Sequence, residues 1–167
     1  MRLTLGLGGG SASGAGTKYS GTSLGSSAAF GGALTQHLVL YGEFLLLGIS
    51  NPKGGTKGVY PTLVGNPIDN IGLGPGIAYY FMPLNLYLSA TLFLQKVLLV
   101  KSYDVGSEMQ FTKTGLGLSL MVGKEWWVSA NWGLGVAAQL LLASAKDDSD
   151  TKWDLGVLAL MFTSTYN

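Results

Sequence analysis

The chain has 167 residues, a formal net charge of +1, 47% hydrophobic and only 11% charged residues, and no cysteine, with a mean hydropathy of +0.35. One domain over 1–167 is the expectation at this length. So little charge coats a soluble globule poorly, near-neutrality gives no pull on nucleic acid, and the missing cysteine excludes disulfides, thiol nucleophiles and thiolate metal sites.

Period-two alternation, the mark of a strand with two unlike faces, begins at once. Residues 2–9 put Leu3, Leu5 and Leu7 on one face and Arg2, Thr4, Gly6 and Gly8 on the other. A Gly/Ser/Ala-rich loop is expected through Gly21. A second strand over 22–34 has small residues on both faces, Leu24, Ala28, Phe30 and Leu34 marking the outer one, and Thr35-Gln36 form a short turn. Residues 37–48 place Leu38, Leu40, Phe44 and Leu46 outside and Val39, Tyr41, Glu43 and Leu45 inside. A long loop is expected over 49–70, where Pro52, Pro61 and Pro67 do not suit a central strand.

In residues 71–81, Gly72, Gly74, Gly76, Ala78 and Tyr80 face Ile71, Leu73, Ile77, Tyr79 and Phe81 across the strand, and 82–85 turn the chain. Residues 86–100 follow, with Leu86, Leu88, Ala90, Leu92 and Leu94 outward and Tyr87, Ser89, Thr91, Phe93 and Gln95 inward. After a third loop over 101–111, residues 114–145 read as a hairpin. Leu116, Leu118, Leu120 and Val122, then Leu134, Val136, Ala138, Leu140 and Leu142, form its bulky face, and Gly115, Gly117, Ser119, Met121, Gly133, Gly135, Ala137 and Gln139 form the other. A loop over 146–151 leads to a last strand over 152–166. Its register is open, because Leu155, Val157 and Ala159 compete with Leu158, Leu160 and Phe162 for the outer side.

This pattern inverts that of a soluble sandwich, since large aliphatics are backed by small and polar residues and neither face suits bulk water. The longest apolar runs, such as 97–100 and 136–143, fall far short of the roughly 18–20 residues of a spanning helix. What remains is an all-β fold: an eight-stranded antiparallel up-and-down transmembrane β-barrel with lipid outside and small and polar groups inside. Trp126, Trp127 and Trp132, with Tyr79 and Phe81, are the expected membrane-interface girdle. Arg2, Tyr41, Glu43, Tyr80, Tyr87, Gln95 and Gln139 are the expected interior polar set. Connections alternate long and short, and most ionisable residues, Lys18, Lys53, Lys57, Asp69, Lys101, Asp104, Glu108, Lys113, Asp148 and Asp150 among them, lie in or beside the long ones. That is the build of an outer-membrane barrel with short periplasmic turns, longer extracellular loops and both termini in the periplasm. Met1-Arg2 opens on a strand without a secretory signal, so the chain reads as mature-length or engineered.

Three runs, GLGPGIAYYFMPLN at 72–85, GKEWWVSANWGLGVA at 123–137 and the terminal FTSTYN at 162–167, resemble a family of small, functionally uncharacterised bacterial outer-membrane β-barrel proteins. More broadly the chain is similar to the eight-stranded OmpA/OmpX type. The resemblance covers the third to eighth strands by motif and the first two by pattern. It implies an outer-membrane location and insertion by the barrel-assembly machinery, which reads spaced aromatics such as Phe162 and Tyr166 in a C-terminal strand; the final Asn167, rather than an aromatic, departs from the commonest signal. It supplies no catalytic residues. Leucine-rich outer faces also fit a redesigned barrel.

The candidate chemistry is sparse, and no catalytic, cofactor or metal residue is assigned. His37, the only histidine, sits beside a short turn, at the rim opposite the long loops where lipid-modifying barrels keep their catalytic groups, and reads as an interfacial polar residue rather than a base. Glu43 reads as the one carboxylate well inside the barrel, satisfied by Arg2 or by Tyr41, Tyr80 and Tyr87, because an unpaired buried charge is costly. Asp147, Asp148, Asp150 and Asp154 lack the spacing of a calcium loop and suit a solvated loop or divalent bridging to lipopolysaccharide. The glycine runs at 6–10, 54–58 and 72–76 lead into no helix and do not form phosphate loops. Lys124, on the lipid-facing parity, snorkels to headgroups. The leading function is a monomeric, non-enzymatic outer-membrane barrel with a side-chain-filled interior and a structural or surface-interaction role, in contact with membrane lipid, lipopolysaccharide and the assembly machinery. The alternatives are a narrow channel for ions or small solutes, a lipid-modifying enzyme and a soluble lipocalin-like barrel; the last inverts the pattern seen here.

Overall fold

A computed structural model describes the backbone of residues 1–14, 16–54, 68–103 and 106–167, and their side chains except at 51–54, 99–103 and 106–110. Its strands are β1 (Arg2–Gly14), β2 (Thr17–Ala33), β3 (Leu38–Gly54), β4 (Ile68–Phe81), β5 (Leu86–Tyr103), β6 (Gly106–Phe111), β7 (Gly115–Trp127), β8 (Trp132–Lys146) and β9 (Lys152–Tyr166). Every pairing is antiparallel. Sequential neighbours pair, except that β6 and β7 both pair with β5; β1 pairs with β9, and β4–β5 completes the ring. The segments β6 and β7 lie successively along β5 and make one stave, so the closed barrel has eight. Closure removes the free edges that an open sheet would present.

Alternation produces this wall because every odd-even pair of a strand must divide between the axis and the outside. The outer face carries Leu5, Leu7, Leu24, Leu73, Leu92, Leu94, Leu116 and Leu160, all exposed. The register of the last strand is resolved: Leu158, Leu160 and Phe162 face outward, while Leu155, Val157, Ala159 and Met161 are buried inside. The alternation that makes one face of each stave apolar thus gives the barrel an apolar belt, which suits hydrocarbon.

The staves are longer at one end than the sequence reading expects. The stretch expected as a loop up to Gly21 is a hairpin: β1 runs to Gly14 and pairs with β2 from Thr17, as in Ala12↔Tyr19 and Gly14↔Thr17. Its small residues do not prevent pairing, because inward glycines leave room for large neighbours. A Cβ on Gly14 would lie 2.5 Å from the Trp153 ring. Likewise β3 continues to Gly54 and β4 begins at Ile68. The third expected loop is largely a β5–β6 extension, with Ser102↔Ser107 paired. Pro61, Pro67, Lys57 and Asp104, together with most of the glycine run at 54–58, lie outside the described residues, as do the side chains of Pro52, Lys53, Lys101 and Glu108.

At the other end the connections are short. Leu34 N–H donates to Leu38 O and Val128 N–H to Trp132 O, and Met82–Leu84 form a single 3-10 turn ended by Asn85 in the left-handed region, φ 50°, a conformation that asparagine tolerates better than most residues. Both termini are at this short-turn end: the Met1 ammonium donates to Tyr166 O at 2.7 Å. Among the described residues, two prolines sit in wall strands. Pro52, expected in a loop, falls within β3 where the β2–β3 register shifts between Ser20 and Thr22. Pro75 pairs with Gly42 on the β3 side, but the β4–β5 register passes from Leu73↔Leu94 to Gly76↔Thr91 and skips Gly74-Pro75, as a residue lacking an N–H requires.

Candidate functional site

The interior, expected to be small and polar, has two unlike halves. Toward the long-loop end it is mostly apolar: Leu45, Leu47, Ile49, Ile68, Phe93, Val97, Leu141, Leu155 and Val157 pack as one cluster that also takes in Tyr19, Met161 and Trp153, with buried Ser23, Asn70, Gln95 and Thr112 set among them. The inward glycines are the recesses that large side chains fill, as Ile49 does at Gly10 and Phe93 at Gly72. Trp153, which the alternation did not mark, stacks on Tyr19 with centroids 6.3 Å apart, and its indole N–H donates to Asp147 Oδ2 at 3.2 Å. Asp147 Oδ1 accepts the amides of Ser149 and Thr151. Asp150 pairs with Lys113 and Asp154 with Lys152, each at 3.0 Å. These carboxylates therefore turn to separate partners, and the described residues hold no cluster of three or more metal-ligating side chains.

Toward the short-turn end the interior is a hydrogen-bonded polar network. Glu43 is 1% exposed; its Oε1 accepts from Ser27 Oγ at 2.6 Å and its Oε2 from Thr91 Oγ1 at 2.7 Å. With those protons committed, Thr4 Oγ1 donates to Ser27 at 2.7 Å and the Tyr41 hydroxyl to Thr91 at 2.9 Å. Four hydroxyls thus converge on one carboxylate, each oxygen of which accepts a charge-assisted bond. Contrary to the sequence pattern, Arg2 makes no ion pair with Glu43, and Tyr41 reaches it only through Thr91. Serine and threonine parity on β1, β2 and β5 was the available signal.

Arg2 is buried between two rings, its guanidinium carbon 5.2 Å from the Tyr41 centroid and 5.1 Å from that of Tyr87, a cation–π arrangement. Tyr87 fills the recess at Gly123, where a Cβ would be 2.5 Å from its ring, and its hydroxyl donates to Met121 Sδ at 3.3 Å. Half-buried Tyr80 lies 5.4 Å from Tyr87. Amides also pair above this network: among the aliphatics of the long-loop half Gln95 accepts from Asn70 Nδ2 at 3.1 Å and donates to Leu116 O, and nearer the middle Gln139 donates to Ser119 at 2.9 Å.

Glu43 is not the one interior carboxylate. Glu125 is also 1% exposed, with Oε1 accepting from Thr165 Oγ1 at 2.7 Å. It shares the inward parity of Met121 and Gly123, a signal that its closeness to a turn obscured. Arg2, Tyr41, Tyr80, Glu125 and Thr165 border a chamber of about 360 Å³ that opens at the short-turn end.

Around that opening, on the outside, stand Tyr79, Phe81, Trp126 and Trp132, all exposed. Trp127, expected among them, instead shares the inward parity of Gly123 and Glu125 and borders the chamber mouth. His37 Nδ1 lies 3.1 Å from Tyr80 O and its ring stacks on Tyr79. The Lys124 ammonium donates to Leu84 O at 2.7 Å and lies 5.9 Å from the Trp126 ring.

No protein-family model and no curated protein sequence matches the chain. Solved structures do. Neisserial surface protein A (NspA) is similar with a TM-score of 0.63 and 16% identity, over 99% of this chain and 96% of that one. OprG of Pseudomonas aeruginosa gives 0.51 and 14%, over 98% and 94%, and Ail, the attachment invasion locus protein of Yersinia pestis, gives 0.50 and 14%, over 97% and 96%. The fold is therefore the closed, eight-stranded, all-antiparallel barrel that these outer-membrane proteins share. Identities this low transfer the fold and no site.

Proposed function

We propose that the protein is a monomeric, non-enzymatic integral barrel of a bacterial outer membrane, which spans the bilayer without conducting and serves a structural or surface-interaction role. The observation that carries this reading is the filled interior. Above the chamber, Tyr87, Phe93, Leu45, Leu141 and Met161 are each less than 2% exposed, as expected of an eight-stranded barrel just wide enough for its own side chains. The apolar belt meets lipid, the aromatic ring of Trp126, Trp132, Tyr79 and Phe81 lies at the periplasmic interface, and the long-loop end meets lipopolysaccharide and the exterior. The spaced aromatics Phe162 and Tyr166 of β9 support insertion by the barrel-assembly machinery. Planar-bilayer recording tests the reading on protein whose gel mobility shifts on heating. No steady single-channel steps are expected; reproducible steps from folded protein favour the narrow channel instead.

A further inference from the structure

The short-turn chamber holds a guanidinium and a carboxylate and keeps them apart. Both side chains are more than nine-tenths buried, yet Arg2 Nε and Nη2 and Glu125 Oε2 make no hydrogen bond, in a protein interior where such groups are normally satisfied. They form no ion pair with each other: the ion pairs among the described residues are Lys113–Asp150 and Lys152–Asp154. Glu43 is already taken by two hydroxyls, so it does not compete for a chamber ligand. Thr165 occupies Glu125 Oε1 and leaves Oε2 as the acceptor.

A molecule that satisfies both groups needs an oxygen pair for a guanidinium fork, the bidentate geometry arginine favours, and a nitrogen donor beside it. We propose that the chamber binds an α-carboxylate with its neighbouring N–H or ammonium, from a free amino acid or from the last residue of a peptide. A small rotation of the guanidinium plane offers Nε and Nη2 to the carboxylate, Glu125 Oε2 takes the nitrogen, and the ligand's side chain lies against Ala29, Val39 and Ala78. The volume of about 360 Å³ falls within the about 300–1,000 Å³ of small-molecule sites, and the packed layer of Phe93 and Leu45 makes the chamber a dead end. This binding property goes beyond the structural role, and a non-conducting barrel keeps that role whether or not the chamber binds.

Arg2 is the only arginine in the chain, so its Nε–H gives one resonance in a ¹⁵N-labelled barrel in detergent micelles. Titration with alanine, N-acetylalanine and trialanine is expected to move that resonance saturably, with dissociation constants on the order of millimolar, whereas amidated trialanine leaves it in place. Tighter alanine binding assigns the free solute and tighter trialanine binding the chain end; either supports the site. The Glu125→Gln variant, checked for its heat-shifted band, is expected to weaken alanine about tenfold, the loss of one charge-assisted bond, while the response to acetate changes less than twofold. Equal shifts with the amidated peptide, an unchanged alanine affinity in the variant, or no saturation by any of the three carboxylates would overturn the proposal.

Discussion

Below the level of Phe93 and Leu45 the barrel is held together by Glu43, Arg2 and a set of hydroxyls; above it, by Ile49, Leu141, Val157 and the Tyr19–Trp153 stack. The two halves fill the same cylinder by different physics. The apolar half gains from contact and from removal of surface from water, and any shape that fills the space serves. In the polar half the buried Glu43 carries a desolvation cost that its particular set of hydroxyl partners offsets, so the arrangement is specific before it is strong. One half can therefore tolerate change of identity at constant volume, and the other cannot.

The comparison breaks most sharply at Phe93, whose ring fills the recess at Gly72 and is 1% exposed. Phe93→Ala is expected to lower the unfolding free energy in urea by about 3–5 kcal/mol, while Phe93→Leu, closer in volume, costs about 1.5 kcal/mol or less; equal losses would mean that shape, not volume, governs the apolar half. In the polar half, Glu43→Ala strands the Ser27 and Thr91 hydroxyls and removes a counter-charge near Arg2. A loss of about 2–3 kcal/mol is expected, at about 1–3 kcal/mol per orphaned buried group, with bilayers remaining silent. Pores opened in a folded variant would show that the network, and not the apolar layer, is the seal.

The smallest effect lies outside both halves. The Lys113 ammonium holds the exposed Asp150 carboxyl below its ordinary range. A carboxyl with a folded-state pKa depressed in this way adds stability above its unfolded pKa and loses it as pH falls through the folded one. Acid titration of stability in Lys113→Ala should therefore lack a small component below the usual aspartate range, and solvent screening keeps it small. An identical acid profile in both proteins removes any role for the pair.

Much of the wall was legible because parity is a strong constraint: Leu116, Leu118 and Leu120 leave one choice of outside. The register of β9 was not, since Val157 and Leu158 are equally apolar and only pairing with β1 and β8, as in Leu7↔Leu160 and Leu140↔Leu158, distinguishes them. Strand ends were misjudged where glycine and serine dominate, because β1 and β2 extend through residues of weak intrinsic strand preference that the neighbouring staves recruit. The interior polar residues Arg2, Tyr41 and Glu43 follow from alternation, but which of them touch does not. Contacts across the axis depend on how far around the ring each stave lies, and no local spacing encodes the Ser27–Glu43–Thr91 arrangement or the separation of Arg2 from Glu125.

The first and last staves lie side by side, with Met1 hydrogen-bonded to Tyr166 O and Asn167 N–H donating to Asn131 O. Chain ends that adjoin in space mark a fold whose order of staves is cyclic even though its covalent order is linear. A few residues bridging Asn167 to Met1 would turn the β9–β1 seam into an ordinary hairpin, and the break in the chain could then be moved to the Asp147–Thr151 connection without altering a single wall pairing.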